Sequence, residues 1–290
     1  MELLTLQLIN SLTLGMIYAT AALGFTMVYK ALGYLNFSHS NTITLGALLI
    51  YTVINTANIP YALAFFIVLA VMMLYGLVIE KILFRHFANT TPLVFMLVSI
   101  SLSIVISNLC LLIFGPQPRA LTNVFPNIRL HVAGVGIPFN NLCIFSIAVI
   151  ALIALQLFFT KTKFGLAMRL ASEDPRTAGL MGIRVTKTRM ATFAISATLG
   201  AIAGMLFSPL YSVTIELGAF IAMKTFVSAV VGGLGNFVGA IAGGILVGFI
   251  ETFSSVYISS AYKDLFVYVA GIIVLVFFPR GLFRRDKNKF

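Results

Sequence analysis

Apolar runs of near-spanning length alternate along this chain with short polar stretches. They cover roughly Leu6–Tyr29, Thr42–Ile54, Ala62–Phe84, Leu93–Phe114, Leu142–Phe159, Met190–Tyr211, Phe220–Val231, Val238–Ser254 and Leu265–Phe278. A hydrocarbon core about 30 Å thick takes roughly 20 residues of helix. Phe220–Val231 falls short of that and reads as one arm of a broken or re-entrant helix. The pattern predicts an all-α, polytopic transmembrane bundle of eight or nine spans, some of them broken. No second compositional regime appears, so residues 1–290 read as one membrane domain. The opening MELLTLQLIN has no basic n-region and no small-residue cleavage site, and reads as a retained span.

Composition agrees. The chain is 60% hydrophobic and 9% charged, whereas soluble domains carry about 25% charge. The net charge of +11 is no nucleic-acid footprint, because the basic residues sit at the ends of apolar runs. Seven of the nineteen Lys and Arg fall in Lys161–Arg189, and five in the tail Arg280–Lys289. The positive-inside rule places both segments in the cytoplasm. Nine crossings then put the N-terminus outside, and eight leave its side open. Residues 115–140 carry four of the nine prolines and two basic residues, and read as an external loop. Cys110 and Cys143 lie in or beside apolar runs and read as small core residues.

Four features could carry chemistry. Leu35–Asn41 (LNFSHSN) gathers Asn36, Ser38, His39, Ser40 and Asn41 between two apolar runs. It is either an unwound break lining a translocation path or a short capped surface loop. Val231–Gly239 (VGGLGNFVG) puts Gly232, Gly233 and Gly235 inside an apolar stretch, as a cavity-lining break or a tight turn. Glu251 is an acid within an apolar run, costly there and a functional candidate for that reason. Lys224 and Glu216 read as interface residues, and Lys263 and Asp264 as markers of the membrane edge. Ser172–Gly182 (SEDPRTAGLMG) predicts a short exposed helix with Ser172 or Asp174 as cap, Pro175 first and Gly182 at its end. Such a helix suits a groove on a partner, or is an ordinary connector. The glycine pairs Gly200/Gly204, Gly239/Gly243 and Gly244/Gly248 read as helix-packing contacts.

Nothing in the chain has the pattern of an enzyme. There is no Gly-x-Ser-x-Gly, no His-Glu-x-x-His and no Walker motif. Any ATP use therefore belongs to another polypeptide, and no cofactor is expected on this one.

At these residues the chain resembles the membrane permeases of bacterial ABC importers for branched-chain amino acids. Gly15–Tyr29 is similar to the family's opening span, and LNFSHS stands where the family usually has Leu-Asn-Phe-Ala-His-Gly. Gly165–Ile183 is similar to its cytoplasmic coupling segment, in which Arg169, Asp174, Pro175, Ala178, Met181 and Gly182 fit. Phe226–Gly244, Glu251 and Phe278–Phe283 match its C-terminal part. The resemblance implies a multi-pass permease of the bacterial inner membrane, paired with a second, homologous permease. It also implies two cytoplasmic ABC ATPases and a periplasmic or lipid-anchored substrate-binding protein. By the same resemblance, Asp174–Gly182 is the coupling helix. The two breaks and the embedded acid read above put the translocation path at Asn36, Ser38, His39, Gly232, Gly233, Gly235 and Glu251. Ser38 and Ser40 depart from the usual Ala and Gly beside His39, and Asn41–Gly46 lacks the Met often found there. These departures leave urea, short amides and other small polar solutes open as substrates. A self-sufficient ion-coupled carrier fits less well, since it calls for inverted repeats and paired embedded charges.

Overall fold

The computed structural model describes residues 2–88, 90–121, 124–126, 128–132, 135–278 and 281–283. Its helices are α1 (Glu2–Leu32), α2 (His39–Ala57), α3 (Tyr61–Ile79), α4 (Arg85–Phe87), α5 (Pro92–Phe114), α6 (Phe139–Lys161), α7 (Lys163–Glu173), α8 (Pro175–Leu180), α9 (Val185–Phe207), α10 (Leu217–Gly232), α11 (Phe237–Tyr257) and α12 (Lys263–Phe277). A π-helical turn, Glu80–Phe84, joins α3 to α4. The all-α bundle expected from the apolar runs is what forms.

The central mast is α1, which α6, α9, α10 and α11 surround. Every residue from Thr13 to Val28 is buried. The Thr13 and Thr20 hydroxyls bond back to carbonyls of the same helix, Thr13 to Ile9 at 2.9 Å and Thr20 to Met16 at 2.8 Å, so these two donors are not stranded there. The mast can be approached closely because α11 presents Gly244 and Gly248 to it. A Cβ on Gly244 would lie 2.8 Å from the Cβ of Ala19 and closer still to its backbone. Gly244→Val is therefore expected to push α1 and α11 apart at a cost of about 1–3 kcal/mol, read as a lower unfolding temperature in detergent.

Outside this core the helices turn apolar side chains outward. Phe66 of α3, Leu112 and Ile113 of α5, Ile150 of α6 and Val276 of α12 are all exposed. Among the described residues, six helical segments are long and apolar enough to cross a membrane: Leu3–Leu32, Tyr61–Phe87, Pro92–Phe114, Phe139–Lys161, Val185–Phe207 and Phe237–Tyr257. The eight or nine full spans read from the sequence are not reached on this criterion. The reason is local. Helix α2 begins with His39, Ser40, Asn41 and Thr42, and α10 and α12 have only 16 and 15 residues.

The stretch 115–140, read from the sequence as an external loop, is not purely loop. Arg129–Val132 and Val135–Pro138 form an antiparallel hairpin, Arg129 opposite Pro138. Arg119 exchanges backbone hydrogen bonds with Val213, at 2.9 and 2.7 Å, which ties this segment to the α9–α10 connection. Most of the basic tail lies outside the described residues.

Candidate translocation and coupling site

The basic island folds into α7, α8 and the first turn of α9. Asp174 caps α8, its Oδ1 accepting from the amides of Arg176 (2.9 Å) and Thr177 (3.2 Å). The Thr177 hydroxyl donates to the other carboxylate oxygen. These bonds, the Thr177 hydroxyl's first, hold the Asp174 carboxyl below its usual range. Pro175 occupies the first helical position, where its missing N–H costs nothing. At the other end Gly182 takes φ +83°. Its amide bonds to Gly179, and that of Ile183 to Ala178, both at 3.0 Å, which is a Schellman closure. Ala178 is buried, while Leu180 (85% exposed) and Met181 stand clear of the fold. The helix is thus held on one side and offers two apolar side chains on the other.

Because the folded-state pKa of Asp174 is depressed, its capping contribution is present above the normal carboxylate range. It is lost only as pH falls through the lowered value. Asp174→Ala is expected to fray α8, seen as faster amide exchange at Arg176 and Thr177. Asp174→Asn should keep most of the protection.

A second feature lies within the bundle. The chain leaves α1, passes without regular structure through Leu35 and Asn36, and starts α2 at a buried His39. Asn36 Oδ1 accepts from the amide (3.1 Å) and hydroxyl (2.7 Å) of Ser38. The His39 ring is 3.1 Å by Nε2 from the carbonyl of Ala21, which can only accept, so the proton sits on Nε2. Nδ1 is then an acceptor 3.3 Å from Ser196 Oγ and 3.4 Å from Thr42 Oγ1. On the other side of α2, a serine row on α5 receives the break. Ser99 Oγ accepts from the Phe37 amide (3.1 Å), the carbonyl of Ser103 accepts from Asn41 Nδ2 (3.2 Å), and Ser107 donates to Asn41 Oδ1 (3.0 Å). Helix α10 starts beside α2: the Gly218 amide donates to Thr44 Oγ1 at 3.0 Å. Helices α2 and α10 therefore begin side by side inside the protein.

The third feature is an ion cluster. Lys224, fully buried in α10, lies 2.6 Å from Glu251 Oε1 and 2.8 Å from Asp264 Oδ1. Tyr18 of the mast donates to Glu251 Oε2 at 2.6 Å. Lys263 stands 3.6 Å from Glu251, and the Lys224 ammonium sits 4.0 Å above the Phe220 ring centre. Two cations meet two carboxylates, so the cluster is neutral. It edges a polar cavity of about 340 Å³ that Gln7, Asn10, Asn141, Tyr211 and Lys263 also line.

The family model described as "branched-chain amino acid transport system / permease component" matches residues 7–277. This chain belongs to that family. It is 32% identical to the high-affinity branched-chain amino acid transport system permease protein LivH of Escherichia coli (strain K12), over 97% of this chain and 96% of LivH. With BraD of Pseudomonas aeruginosa, a permease protein of the same description, it shares 30% identity over the same proportions. A shorter match, 38% identical over 28% of this chain and 25% of the relative, is to LivM of Methanocaldococcus jannaschii, a probable branched-chain amino acid transport permease protein. The protein is a multi-pass membrane permease.

Within the permease, the residues read from sequence as one path lie in three places. Asn36, Ser38 and His39 form the break inside the bundle. Glu251 belongs to the ion cluster. Gly232, Gly233 and Gly235 make the turn between α10 and α11, where Gly233 and Gly235 adopt φ +94° and +85°. That turn edges a cavity of about 870 Å³ shared with Lys30, Arg169, Ser172 and Glu173, so its glycines adjoin α7 and not His39. Arg169 on α7 is on this cavity too, whereas Asp174, Pro175, Ala178, Met181 and Gly182 build α8 itself. Lys224, read as an interface residue, is instead a fully buried cation. Its position in the middle of an apolar helix was the available signal, since such a charge requires a counter-ion. The serine row of α5 was missed because hydroxyls at four-residue spacing barely lower the hydropathy of an apolar run.

Proposed function

We propose that this chain is the membrane permease of an ATP-binding-cassette importer that carries branched-chain amino acids into the cell. One observation carries the reading: similarity to LivH runs over 97% of the chain, and so includes the α7–α8 segment as well as the apolar spans. On this reading a second, homologous permease completes the path, two cytoplasmic ATPases supply the energy, and an external binding protein delivers substrate. The chain itself holds no ATPase site and needs no cofactor. Arg169 and Asp174–Gly182 receive the ATPases. The break at Asn36–Asn41, with the serine row of α5 and the start of α10, faces the path. Polar groups at this depth are tolerated where they face protein or water and not lipid. Helices α2, α10 and α12 cross together with the six longer ones, giving nine passes with the N-terminus outside. In support, α1 ends on the same cavity as Arg169, while its start shares the opposite cavity with Asn141 and Lys263.

The test is reconstitution of the permease with its ATPase, second-permease and binding-protein subunits. ATP-dependent uptake of labelled leucine, isoleucine or valine supports the reading. Uptake of urea or acetamide in their place would move the substrate within the family. Uptake by this chain alone, without ATP, would replace the importer with a secondary carrier.

A further inference from the structure

One face of α9 connects the coupling segment to the break in the bundle. Arg189, Phe193, Ser196 and Gly200 fall at positions i, i+4, i+7 and i+11, a single stripe of the helix. Each grips a different element. Arg189, in the second turn after the coupling segment, donates from Nε to Glu80 Oε1 at 3.0 Å. Glu80 is fully buried and opens the π-helical turn, and Arg85 lies 3.5 Å from its other oxygen. Arg85 in turn reaches the sulfur of Met190 at 2.9 Å. One turn on, Phe193 stacks on Phe84 with ring centres 4.8 Å apart, and Phe84 meets Phe95 of α5 at 5.0 Å. Next, Ser196 donates to the carbonyl of Gly24 at 2.8 Å and lies 3.3 Å from His39 Nδ1. Finally, Gly200 leaves no room for a side chain: a Cβ there would lie 3.0 Å from His39 Cε1 and against Thr42. The stripe thus runs without a gap from the cytoplasmic end of α9 to the histidine that starts α2.

Ordinary core packing would produce the Phe193 and Gly200 contacts. It does not call for the Glu80 site. A buried carboxylate between two guanidinium groups costs desolvation that a well-packed apolar trio of the same volume would avoid. The π-helical turn that Glu80 opens is a geometry that occurs mostly as single-turn bulges, often at functional sites. Both features sit where α3 meets the end of α9 nearest the coupling helix.

We propose that Glu80 and Arg189 are a positioning pair that makes α3 and α9 move as one body, so that displacement of the coupling helix reaches His39. This rests on the importer reading above. Neither residue contacts substrate. Removing the pair should leave ATP hydrolysis running while disconnecting it from the break.

The experiment uses the assembled transporter in proteoliposomes, with Glu80→Gln, Arg189→Gln and the double variant. Three quantities are read: ATP hydrolysis, leucine taken up per ATP hydrolysed, and maleimide labelling of Phe37→Cys with and without ATP. Phe37 is an exposed residue of the break, and the labelling background carries Cys110→Ala and Cys143→Ala. The expected result is assembly and hydrolysis within about twofold of wild type, with uptake per ATP reduced about tenfold in each single variant. The double variant should be no worse than either single, as for residues acting as a unit, and the ATP-dependent change in labelling should disappear. Unchanged uptake per ATP would overturn the proposal. So would a loss that merely tracks the amount of assembled complex, or single effects that multiply in the double variant. Absence of ATP-driven uptake in the wild type would overturn the importer reading and this inference with it. Normal wild-type uptake beside unaffected variants would overturn this inference alone.

Discussion

Lys224→Met is expected to lower the stability of the permease by about 3–5 kcal/mol, the cost of leaving a buried carboxylate without its cation. The methionine fills much of the same volume, so the loss is electrostatic. Glu251 keeps the Tyr18 hydroxyl and the more distant Lys263, while Asp264, about a third exposed, can turn toward water. The penalty therefore falls chiefly on Glu251. Lys224→Met combined with Glu251→Gln should recover most of it, because the glutamine oxygen can still accept from Tyr18 and Glu251 no longer leaves a charge buried. Thermal unfolding in detergent across the four members of this cycle measures the coupling directly. Additive losses would mean that the two residues do not depend on each other, contrary to the 2.6 Å contact between them.

The second large effect is functional. Gly182→Glu is expected to abolish ATP-driven uptake, by about tenfold or more, while leaving the protein inserted and folded. Gly182 has φ +83° and no atom of the fold within 4 Å of where a Cβ would stand, so the substitution meets no steric obstacle. The left-handed backbone costs about 1–2 kcal/mol for a residue with a side chain. The new carboxylate also stands at a helix C-terminus, where negative charge is unfavourable. Both effects loosen the Schellman closure that sets the direction of Leu180 and Met181. Gly182→Ala separates the two, carrying the backbone cost without the charge, and should lose less uptake. Ala178→Arg should be as damaging as Gly182→Glu, because Ala178 is 1% exposed and an arginine there must lift α8 off the fold. Normal uptake by Gly182→Glu would remove α8 from the coupling role.

What was legible in the sequence divides by the range of the interactions. The apolar runs found the long helices, and even the short run Phe220–Val231 lies within α10. The short helix α8 was read almost residue for residue, because Asp-Pro at its start and Gly182 at its end act on their own backbone. Long-range pairs were invisible. Lys224 and Glu251 are 27 residues apart, Tyr18 and Glu251 233 apart, and no local pattern relates them. The Glu80 site was lost for a similar reason. Its Arg189 partner lies on another helix, 109 residues further along the chain. The glycine turn at 232–235 was legible as a break, but its neighbours were not. Only packing could say that it lies beside Arg169 and not beside His39.

The buried position of α1 also bears on how the permease is made. Synthesis proceeds from the N-terminus at about 5–20 residues per second. Tyr18 enters the membrane roughly ten to fifty seconds before Glu251, its partner 233 residues later, has been translated. During that interval the mast sits in lipid without the α9, α10 and α11 surfaces that will enclose it. The hydroxyls of Thr13 and Thr20 are already bonded to their own helix, while that of Tyr18 waits for Glu251. The bundle can close only when the last third of the chain arrives, which makes assembly a single late event. Chains cut short before α11 would carry a complete first span that lacks the α11 face closing around it, and membrane quality control would meet them in that form.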